Sequence, residues 1–505
     1  MLLLLVLACV RAPDPLQPLR AADAELAALL PALEQAEREL LGEPPTVSVL
    51  PQAVDAEGVT LDMGLRLLER VEEHYVVAPD WAAMAAAGDR ALAEAGSEVP
   101  GATAARTREE AADRLRSLAR GRPDVDRVVV TWIDGALSAL DPNTRAIWPA
   151  AVAGWEAHHE GVYVGVGVEL VDAPDGVRVR WPVPGSPAFE AGLKQDDRVV
   201  AVDGREVATS VEAAGRLRGE EGTTVAVEVA RRERRLGFEL QRRGIVPDTV
   251  TGWTRAPDNR WDPWLDRDAG IAYARVGALR PHTDEALDAL LEPVAGDVRA
   301  VVLDLRGCPG GDLDAAAQLA DRFVREGTLV RLEGRRLPPP PPEGVVAWNE
   351  AVEGHALEGL PLAVLVDEHT ASSAEVVAAA LDQLAGALVI GEPTFGKGSS
   401  QLLLAEPDLG VALQVTNYRW NQPDGRPLDG HGLDPDERIP LSLAAEYQVG
   451  LMRRHREFLR VHADGTPLRV DLPEPRADLP VLPADPHVLR ARLRLAERLA
   501  AGGGS

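Results

Sequence analysis

Lysine is almost absent from this chain: of its 53 Lys and Arg residues, only Lys194 and Lys397 are lysines. Arginine therefore supplies nearly every positive charge. Arginine cannot lose its proton inside a protein, whereas a buried lysine can. A lysine in such a background is a candidate for chemistry that arginine cannot perform, and Lys194 serves as the comparison for any role assigned to Lys397.

Acidic residues outnumber basic ones, since 80 Asp and Glu against 53 Lys and Arg give a formal net charge of −27. Nucleic-acid binding requires a basic surface that neutralises phosphates, so this balance argues against a nucleic-acid partner. The cysteines and histidines show no metal-ligand spacing. We therefore expect no metal and no other cofactor.

Cysteine occurs only at Cys9 and Cys308. Cys9 ends an apolar run, residues 1–9, that is too short to span a bilayer. Ala8 before Cys9 resembles the cleavage box of bacterial lipoproteins, although no basic segment precedes the run and the run is shorter than a usual signal. We expect a periplasmic protein attached to the membrane through lipidated Cys9, which leaves Cys308 without a disulfide partner. The alternative is a misplaced start codon or a frayed terminus.

The patterning divides the chain into five segments. Residues 1–19 fit a lipoprotein signal and linker, and residues 20–150 have the three- and four-residue apolar spacing of helices. Residues 158–245 change to a period of two, which predicts a small β domain. Residues 250–440 alternate buried strands with helices, as an α/β core does, and residues 441–505 form a C-terminal helical extension. The predicted fold class is multidomain α/β.

One serine stands at the start of a predicted helix. Ser372 lies in Asp367-Glu-His-Thr-Ala-Ser-Ser-Ala-Glu375, just after a buried strand. The simpler interpretation is a capping box formed with Glu375, and most serines in this pattern are only caps. In the functional interpretation, the strand-to-helix turn exposes the Ser372 hydroxyl beside helix amides that favour developing negative charge.

Lys397 follows another predicted strand, in Gly391-Glu-Pro-Thr-Phe-Gly-Lys-Gly398. Its flanking glycines allow close backbone approach, and Phe395 is expected to exclude water. Desolvation lowers the pKa of a lysine from about 10.4 toward neutrality, and a neutral amine can take the Ser372 proton as general base. Gln401, four positions on, can orient that amine without adding charge. The alternative is a surface lysine in a glycine turn, which the scarcity of lysine disfavours.

Two other hydrolase classes fit less well. Gly391-x4-Gly396-Lys397 reproduces most of a phosphate-binding P-loop, but Gly398 stands where magnesium needs Ser or Thr, and residues 400–404 read as a strand rather than a helix. A Ser-His-Asp hydrolase would need a Gly-x-Ser-x-Gly elbow, which the core lacks. His369 precedes Ser372 by only three residues and is poorly placed to serve it.

A third segment, Asp304-Leu-Arg-Gly-Cys-Pro-Gly-Gly311, leads from a buried strand into a helix. The paired glycines Gly310 and Gly311 can point backbone amides at a substrate carbonyl oxygen. The alternative is an ordinary strand-to-helix turn with a glycine bend. Taken alone, this segment does not separate the two interpretations.

Together these segments resemble the C-terminal processing peptidases, or tail-specific proteases, over about residues 62–440. Members carry Ser-Ala-Ser-Ala-Ser-Glu around the nucleophile, where this chain has Thr370-Ala-Ser-Ser-Ala-Glu375. The family's lysine follows its nucleophile by twenty-five positions, as Lys397 follows Ser372, and its helper glutamine falls at Gln401. The resemblance implies a Ser-Lys dyad in a crotonase-like α/β peptidase core.

The resemblance also assigns an oxyanion hole. The family's Asp-Leu-Arg-x-Asn-Pro-Gly-Gly loop matches the segment that ends at Gly310 and Gly311, so the implied donors are their amides and the amide of Ser373. Ser373 replaces the usual Ala, which leaves the backbone donor intact, and Cys308 replaces an Asn, which alters the support of the loop. Two further family matches, residues 139–144 and 429–436, have an expected structural role.

Residues 158–245 resemble the family's PDZ domain, most distinctively in the stretch Gly185–Gly204, where Lys194 reads as a surface residue. Amides beside glycines can capture a peptide carboxylate while the peptide adds to the sheet as a strand. The residues implied to bind the substrate tail form one loop: Tyr163, Gly165, Val166, Gly167 and Val168.

The resemblance implies a serine endopeptidase that cleaves protein substrates near their C-termini through an acyl-enzyme. Its expected partners are proteins or peptides that the PDZ domain recognises by their C-terminal tails. The alternative is a non-catalytic PDZ-type peptide-binding protein of the envelope. The joint retention of Ser372, Lys397 and Gln401 argues against that alternative.

Overall fold

The computed structural model describes residues 16–41, 56–101, 105–149, 163–173, 176–183, 185–194, 197–231, 234–245, 248–255, 260–334, 345–457, 460–461, 467–468 and 480–502. Cys9 and most of the predicted signal segment lie outside these residues. Contacts divide the chain into a larger unit (residues 1–152, 249–468 and 474–505) and a smaller unit (residues 153–248 and 469–473). Among the described residues, no helix combines the length and apolarity needed to cross a membrane.

Helices and one short strand open the larger unit: α1 (Gln17–Leu41), α2 (Leu61–His74), α3 (Trp81–Glu94), α4 (Arg108–Ala119), α5 (Val125–Leu137) and β1 (Arg145–Ile147). Polar side chains fix where several of them begin. The Thr60 hydroxyl accepts the amide of Met63 at 3.4 Å before α2, and the Thr107 hydroxyl accepts the amide of Glu110 at 3.2 Å before α4. The helical prediction for this segment is confirmed.

The smaller unit is built from antiparallel strands: β2 (Tyr163–Gly165), β3 (Val168–Ala173), β4 (Gly176–Pro182), β5 (Arg198–Val202), β6 (Arg205–Glu206), β7 (Thr224–Arg231), β8 (Arg234–Gln241) and β9 (Arg243–Ile245). The main sheet has the order β3-β4-β5-β7-β8, so β3 is an edge strand, while β2 pairs with β9. Helices α6 (Pro187–Glu190) and α7 (Ser210–Leu217) complete the unit. Alternate valines of the strands, such as Val225, Val227 and Val229, form its core, which confirms the period-two pattern.

A mainly parallel sheet forms the centre of the larger unit, with the order β10-β14-β15-β18-β19-β22 and with β13 paired to β14. Strands β14, β15, β18, β19 and β22 run parallel. The bounds are β10 (Val250–Thr251), β13 (Trp264–Asp266), β14 (Ile271–Val276), β15 (Ala300–Asp304), β18 (Leu362–Val366), β19 (Leu388–Gly391) and β22 (Glu437–Arg438). A separate two-stranded ribbon joins β11 (Thr254–Arg255) and β12 (Trp261–Asp262).

Helices cover both faces of this sheet: α8 (Thr283–Leu291, continued by a 3₁₀ turn at Glu292–Val294), α9 (Leu313–Asp321), α10 (Ser373–Ala385) and, after the helix α11 (Leu443–Glu457) that packs against α1, the helix α12 (Pro486–Gly502). Val301 and Leu303 of β15 pack in the core formed with α8, α9 and α10. Ala300 and Val302 face the opposite way and pack with α12. Burial on both faces explains the continuous apolar run of β15.

A second, antiparallel sheet has the order β1-β21-β16-β17, with β20 paired to β21. Its bounds are β16 (Thr328–Glu333), β17 (Val345–Glu350), β20 (Ser399–Glu406) and β21 (Val411–Asn421), and a short ribbon joins β23 (Arg460–Val461) to β24 (Pro467–Leu468). Leu413 and Val415 of β21 are buried in the same core as Trp132 and Leu67 of the N-terminal helices. The N-terminal helices therefore pack directly on this antiparallel sheet, whose strand β20 begins two residues after Lys397.

The fold class is multidomain α/β, as the sequence predicts, with N-terminal helices, a small β-rich unit, a mixed α/β core and a C-terminal helix. Helix α10 begins at Ser373, so Ser372 is the residue directly before its first turn.

Candidate active site

Ser372 lies between β18 and α10 in a backbone conformation that L-residues rarely adopt. Its φ is +60° and its ψ is −129°. Among the described residues, only Asp203 and His282 are further non-glycine residues with positive φ. Such a conformation costs of the order of 1–3 kcal/mol and persists only where the surroundings impose it. The turn that presents the Ser372 hydroxyl is therefore held against its own backbone preference.

The buried carboxylate of Glu375 imposes that conformation and reaches further than a helix cap needs. Its Oε2 accepts the amides of Ser372 and Lys397, both at 2.8 Å. Its Oε1 accepts the amide of Gly396 at 2.8 Å and the hydroxyl of Thr394 at 2.5 Å. One side chain thus joins the start of α10 to the loop that carries the lysine. The capping-box spacing predicts the contact with Ser372. No local sequence pattern predicts the contacts with the other three residues, which all lie in the Lys397 loop.

Lys397 is partly buried, and glycines hold its loop against a neighbouring segment. A Cβ on Gly398 would lie 2.2 Å from the amide nitrogen of Asp429, so only glycine fits there. The amide of Gly430 donates to the carbonyl of Gly396 at 2.8 Å. These contacts give residues 429–436 the expected structural role.

Within the described part of the chain, the Lys397 amine makes no ion pair, and the contact of this residue with Glu375 is made by its backbone amide. The expectation that Phe395 excludes water is wrong, because 66% of Phe395 is exposed. The backbone amide of Phe395 donates to the carbonyl of Thr370 at 3.0 Å, and the Phe395 ring faces solvent. Lys194 differs from Lys397 in being exposed.

Gln401 lies on β20 beside a register shift that falls between Ser400 and Gln401. Its side-chain nitrogen donates to the hydroxyls of Ser399 at 3.1 Å and Thr416 at 3.4 Å. The Thr416 hydroxyl donates in turn to Asp141 at 2.9 Å. This network fixes the amide group and leaves its oxygen as the atom that can accept from a lysine amine.

The predicted oxyanion loop meets the start of α10. A Cβ on Gly310, whose φ is +83°, would lie 2.6 Å from the Ala371 carbonyl and 2.8 Å from the Ser373 amide nitrogen. A Cβ on Gly311 would lie 2.0 Å from the Leu279 carbonyl oxygen, so both glycines are required by close approach. Among the described residues, the amides of Gly311 and Ser373 donate to no acceptor. They are available to a developing oxyanion.

Cys308 supports this loop through its backbone. Its carbonyl accepts the amide of Ala371 at 3.0 Å, and its own amide donates to the Leu305 carbonyl at 3.0 Å. The thiol is buried, and burial raises its pKa, although the nearby Gly310 amide opposes that effect. Cys308 is therefore an unreactive, space-filling residue at this position rather than a second nucleophile.

The two competing hydrolase classes find no support here. Residues after Lys397 form β20, paired with β21, instead of the helix whose N-terminus would bind phosphate. His369 is exposed and lies 3.8 Å from Glu368. Within the described residues, no histidine side chain forms a hydrogen bond with Ser372, as a Ser-His-Asp arrangement would require.

The predicted tail-binding residues lie together in the smaller unit, on β2, the following turn and the start of β3: Tyr163, Gly165, Val166, Gly167 and Val168. The carbonyls of Val166 and Gly167 accept the amides of Ala188 at 2.9 Å and Val183 at 2.8 Å. Their own amides donate to no described residue. Because β3 is an edge strand, this unit offers free amides beside an open strand, as peptide capture by strand addition requires.

Known protein families match two stretches of the chain: residues 270–439 match peptidase family S41, and residues 164–241 match the PDZ domain. A carboxyl-terminal-processing protease of a Picosynechococcus species is 32% identical over 316 residues, 61% of this chain and 72% of that relative. A probable CtpA-like serine protease of Staphylococcus aureus is 29% identical over 323 residues, 63% of this chain, and this chain spans only 61% of its length.

Among solved structures, a photosystem II D1 C-terminal processing protease is similar over 75% of this chain and 94% of that one, with 26% identity and a TM-score of 0.45. The S41 match covers the segment that holds both Ser372 and Lys397. Together with the identity across 72% of the Picosynechococcus relative, it shows that this chain belongs to peptidase family S41.

Proposed function

We propose that the protein is a serine endopeptidase in which Lys397 activates Ser372 and the PDZ domain captures the C-terminal tail of a protein substrate. The observation that carries the proposal is the Glu375 carboxylate, which accepts the amides of both Ser372 and Lys397. A side chain that served only to cap α10 would need just the first of these contacts. The similarity to the carboxyl-terminal-processing protease of a Picosynechococcus species supports the same reaction class.

In the proposed reaction, the neutral Lys397 amine takes the Ser372 hydroxyl proton as the oxygen attacks a peptide carbonyl. The amides of Ser373 and of Gly310 or Gly311 receive the negative oxygen of the tetrahedral intermediate. Lys397 then gives its proton to the departing amine, which leaves an acyl group on Ser372. Water activated by Lys397 releases that acyl group, and the amide oxygen of Gln401 orients the lysine throughout.

The PDZ domain is proposed to select the substrate by its C-terminal carboxylate. The free amides of Val166 and Gly167 fit a carboxylate, and the β3 edge fits an extended peptide. The substrate class is thus proteins or peptides with an accessible tail, and we expect an apolar tail end.

The test compares variants on an unfolded protein substrate with an apolar tail, with products identified by mass spectrometry. Ser372→Ala and Lys397→Ala should each abolish cleavage while tail binding persists. Lys194→Ala, at the other lysine, is the matched control and should cleave at the wild-type rate. Full activity in the Ser372 or Lys397 variant contradicts the dyad. A wild-type protein that binds tails but reacts with no serine-directed probe is instead a non-catalytic binding protein.

We further propose that the protein is held at the bacterial cell envelope through a lipid on Cys9. The support is the apolar run before Ala8 and Cys9 in the sequence. Metabolic labelling with an alkyne fatty acid tests this proposal. Label should appear on the wild-type protein and be lost in Cys9→Ser, and an unlabelled wild-type protein contradicts it.

A further inference from the structure

A cluster of buried charges lies at the base of the oxyanion loop. Arg306 is 4% exposed, Asp304 is fully buried and Asp485 is 3% exposed. The Arg306 guanidinium donates to Asp304 through Nε at 2.9 Å and Nη2 at 2.6 Å. It also donates to Asp485 through Nη1 at 3.0 Å and Nη2 at 2.9 Å. The Arg306 guanidinium is therefore bound by two carboxylates, those of Asp304 and Asp485.

Neighbouring polar groups satisfy the rest of this cluster. The Nη1 of Arg306 lies 3.3 Å from the His487 Nδ1, and the other ring nitrogen of His487 lies 2.8 Å from the Ile439 carbonyl. The Tyr273 hydroxyl donates to Asp304 at 2.6 Å. Burial opposes the charge on Asp304, but the Arg306 guanidinium outweighs it and lowers the pKa of that carboxyl. All the charges are therefore held in a fixed geometry.

The cluster joins two parts of the chain that are far apart in sequence. Arg306 follows β15 by two residues and precedes Gly310 by four, and the Cys308 amide closes the intervening turn on Leu305. Asp485 stands 179 residues from Arg306, just before α12, where its Oδ1 also accepts the His487 amide at 3.1 Å. The start of the C-terminal helix is thus pinned to the base of the oxyanion loop.

We propose that Asp485 is a positioning residue of the active site, which fixes through Arg306 the loop that carries Gly310 and Gly311. The inference rests on the proposed peptidase function. It assigns the C-terminal helix a part in turnover, in addition to its part in the core. Asp485 does not touch substrate; it acts only by holding Arg306.

The size of the effect follows from what an oxyanion hole contributes. Loss of a single donor lowers kcat by about a hundredfold to a thousandfold, and displacement by about 1 Å can cost about a hundredfold. Asp485→Asn keeps the shape and the Oδ1 cap but presents an amide NH₂ to a guanidinium. We expect kcat to fall between about tenfold and a hundredfold. KM should stay within about twofold, because the tail is captured by the other unit.

A second aspartate–arginine pair, in which Arg114 is buried and Asp89 is partly buried, provides the matched control. Asp89 accepts Arg114 through Nε at 3.2 Å and Nη2 at 2.9 Å within the N-terminal helices. Asp89→Asn breaks an aspartate–arginine pair of the same kind without contact to the oxyanion loop. Both variants should lower the melting temperature. Only Asp485→Asn should lower kcat per active site, where sites are counted by titration with a fluorophosphonate.

The experiment measures kcat and KM per titrated site on the tailed substrate, together with the affinity of a peptide boronate that forms a tetrahedral adduct. In Asp485→Asn, boronate affinity should fall along with kcat. Asp485→Glu keeps the charge but moves the carboxylate by one methylene, and it should lose at least threefold in kcat per site even if Asp485→Asn does not fold. Wild-type kcat per site in either folded variant overturns the proposal. Failure of the wild-type protein to cleave overturns the proposed function instead.

Discussion

Replacement of Glu375 by Gln tests the central observation, because it changes one oxygen of the carboxylate to an amide nitrogen. Oε1 accepts from Thr394 and Gly396, and Oε2 accepts from Ser372 and Lys397. A glutamine oxygen can serve only one of these two sides. Its NH₂ group must then face at least one backbone N–H, donor against donor.

The magnitude follows from the bonds that are lost. A hydrogen bond to a charged group contributes about 1.5–3 kcal/mol, so loss of two costs about 3 kcal/mol at the lower end. Glutamine orients its oxygen toward whichever side is less costly, and either choice releases the Lys397 loop or the Ser372 turn. If the loss misaligns the Ser372 hydroxyl and the Lys397 amine, it adds the same free energy to the activation barrier. We then expect kcat to drop by about a hundredfold, since about 1.4 kcal/mol is a factor of ten.

The assay is cleavage of a tailed protein substrate, with kcat per titrated site and urea unfolding measured on the same preparation. Asp80→Ala is the control, because the Asp80 carboxylate accepts the amides of Ala82 and Ala83 at the start of α3 and touches no residue of the site. The control should lose stability with kcat unchanged. If Glu375→Gln likewise loses stability alone, the carboxylate is a helix cap and the coupling between Ser372 and Lys397 is refuted.

Two further predictions concern stability. The Ser373 hydroxyl is buried and has no hydrogen-bond partner among the described residues, so Ser373→Ala should raise the free energy of unfolding by about 1 kcal/mol in urea titrations, with cleavage retained through the backbone amide; a loss of stability contradicts this. Burial and the nearby Glu392 and Glu368 raise the pKa of Glu446 from its usual 4.5 to about 7. The folded chain thus keeps this proton to higher pH than the unfolded chain, and stability is lost as pH rises from about 4.5 to 7. Glu446→Gln should flatten the fall in melting temperature over that range, and an unchanged slope would show that other groups cause it.

Much of the secondary structure can be predicted because it depends mainly on residues that are close together in the sequence. The continuous apolar run Leu362–Val366 forms strand β18, because a strand that is buried on both faces needs apolar residues at every position. The placement of Ser372 between that strand and α10 follows from the same pattern. Phe395 shows the limit: an aromatic residue in a glycine-rich loop suggests a dry site, but the direction of the side chain depends on the backbone contacts of the loop.

The contacts that hold the site together could not be read from local sequence, because their partners are distant along the chain. Asp485 before α12 has the pattern of an ordinary helix cap, and its cap bond to the His487 amide is real. Its second use, toward Arg306, depends on how the C-terminal helix packs across the central sheet. Glu375 follows the same logic, since its first contact is the cap and its others cross to the Lys397 loop. In both cases a carboxylate that caps a helix has acceptor capacity left over, and the fold uses that capacity to fix a catalytic loop.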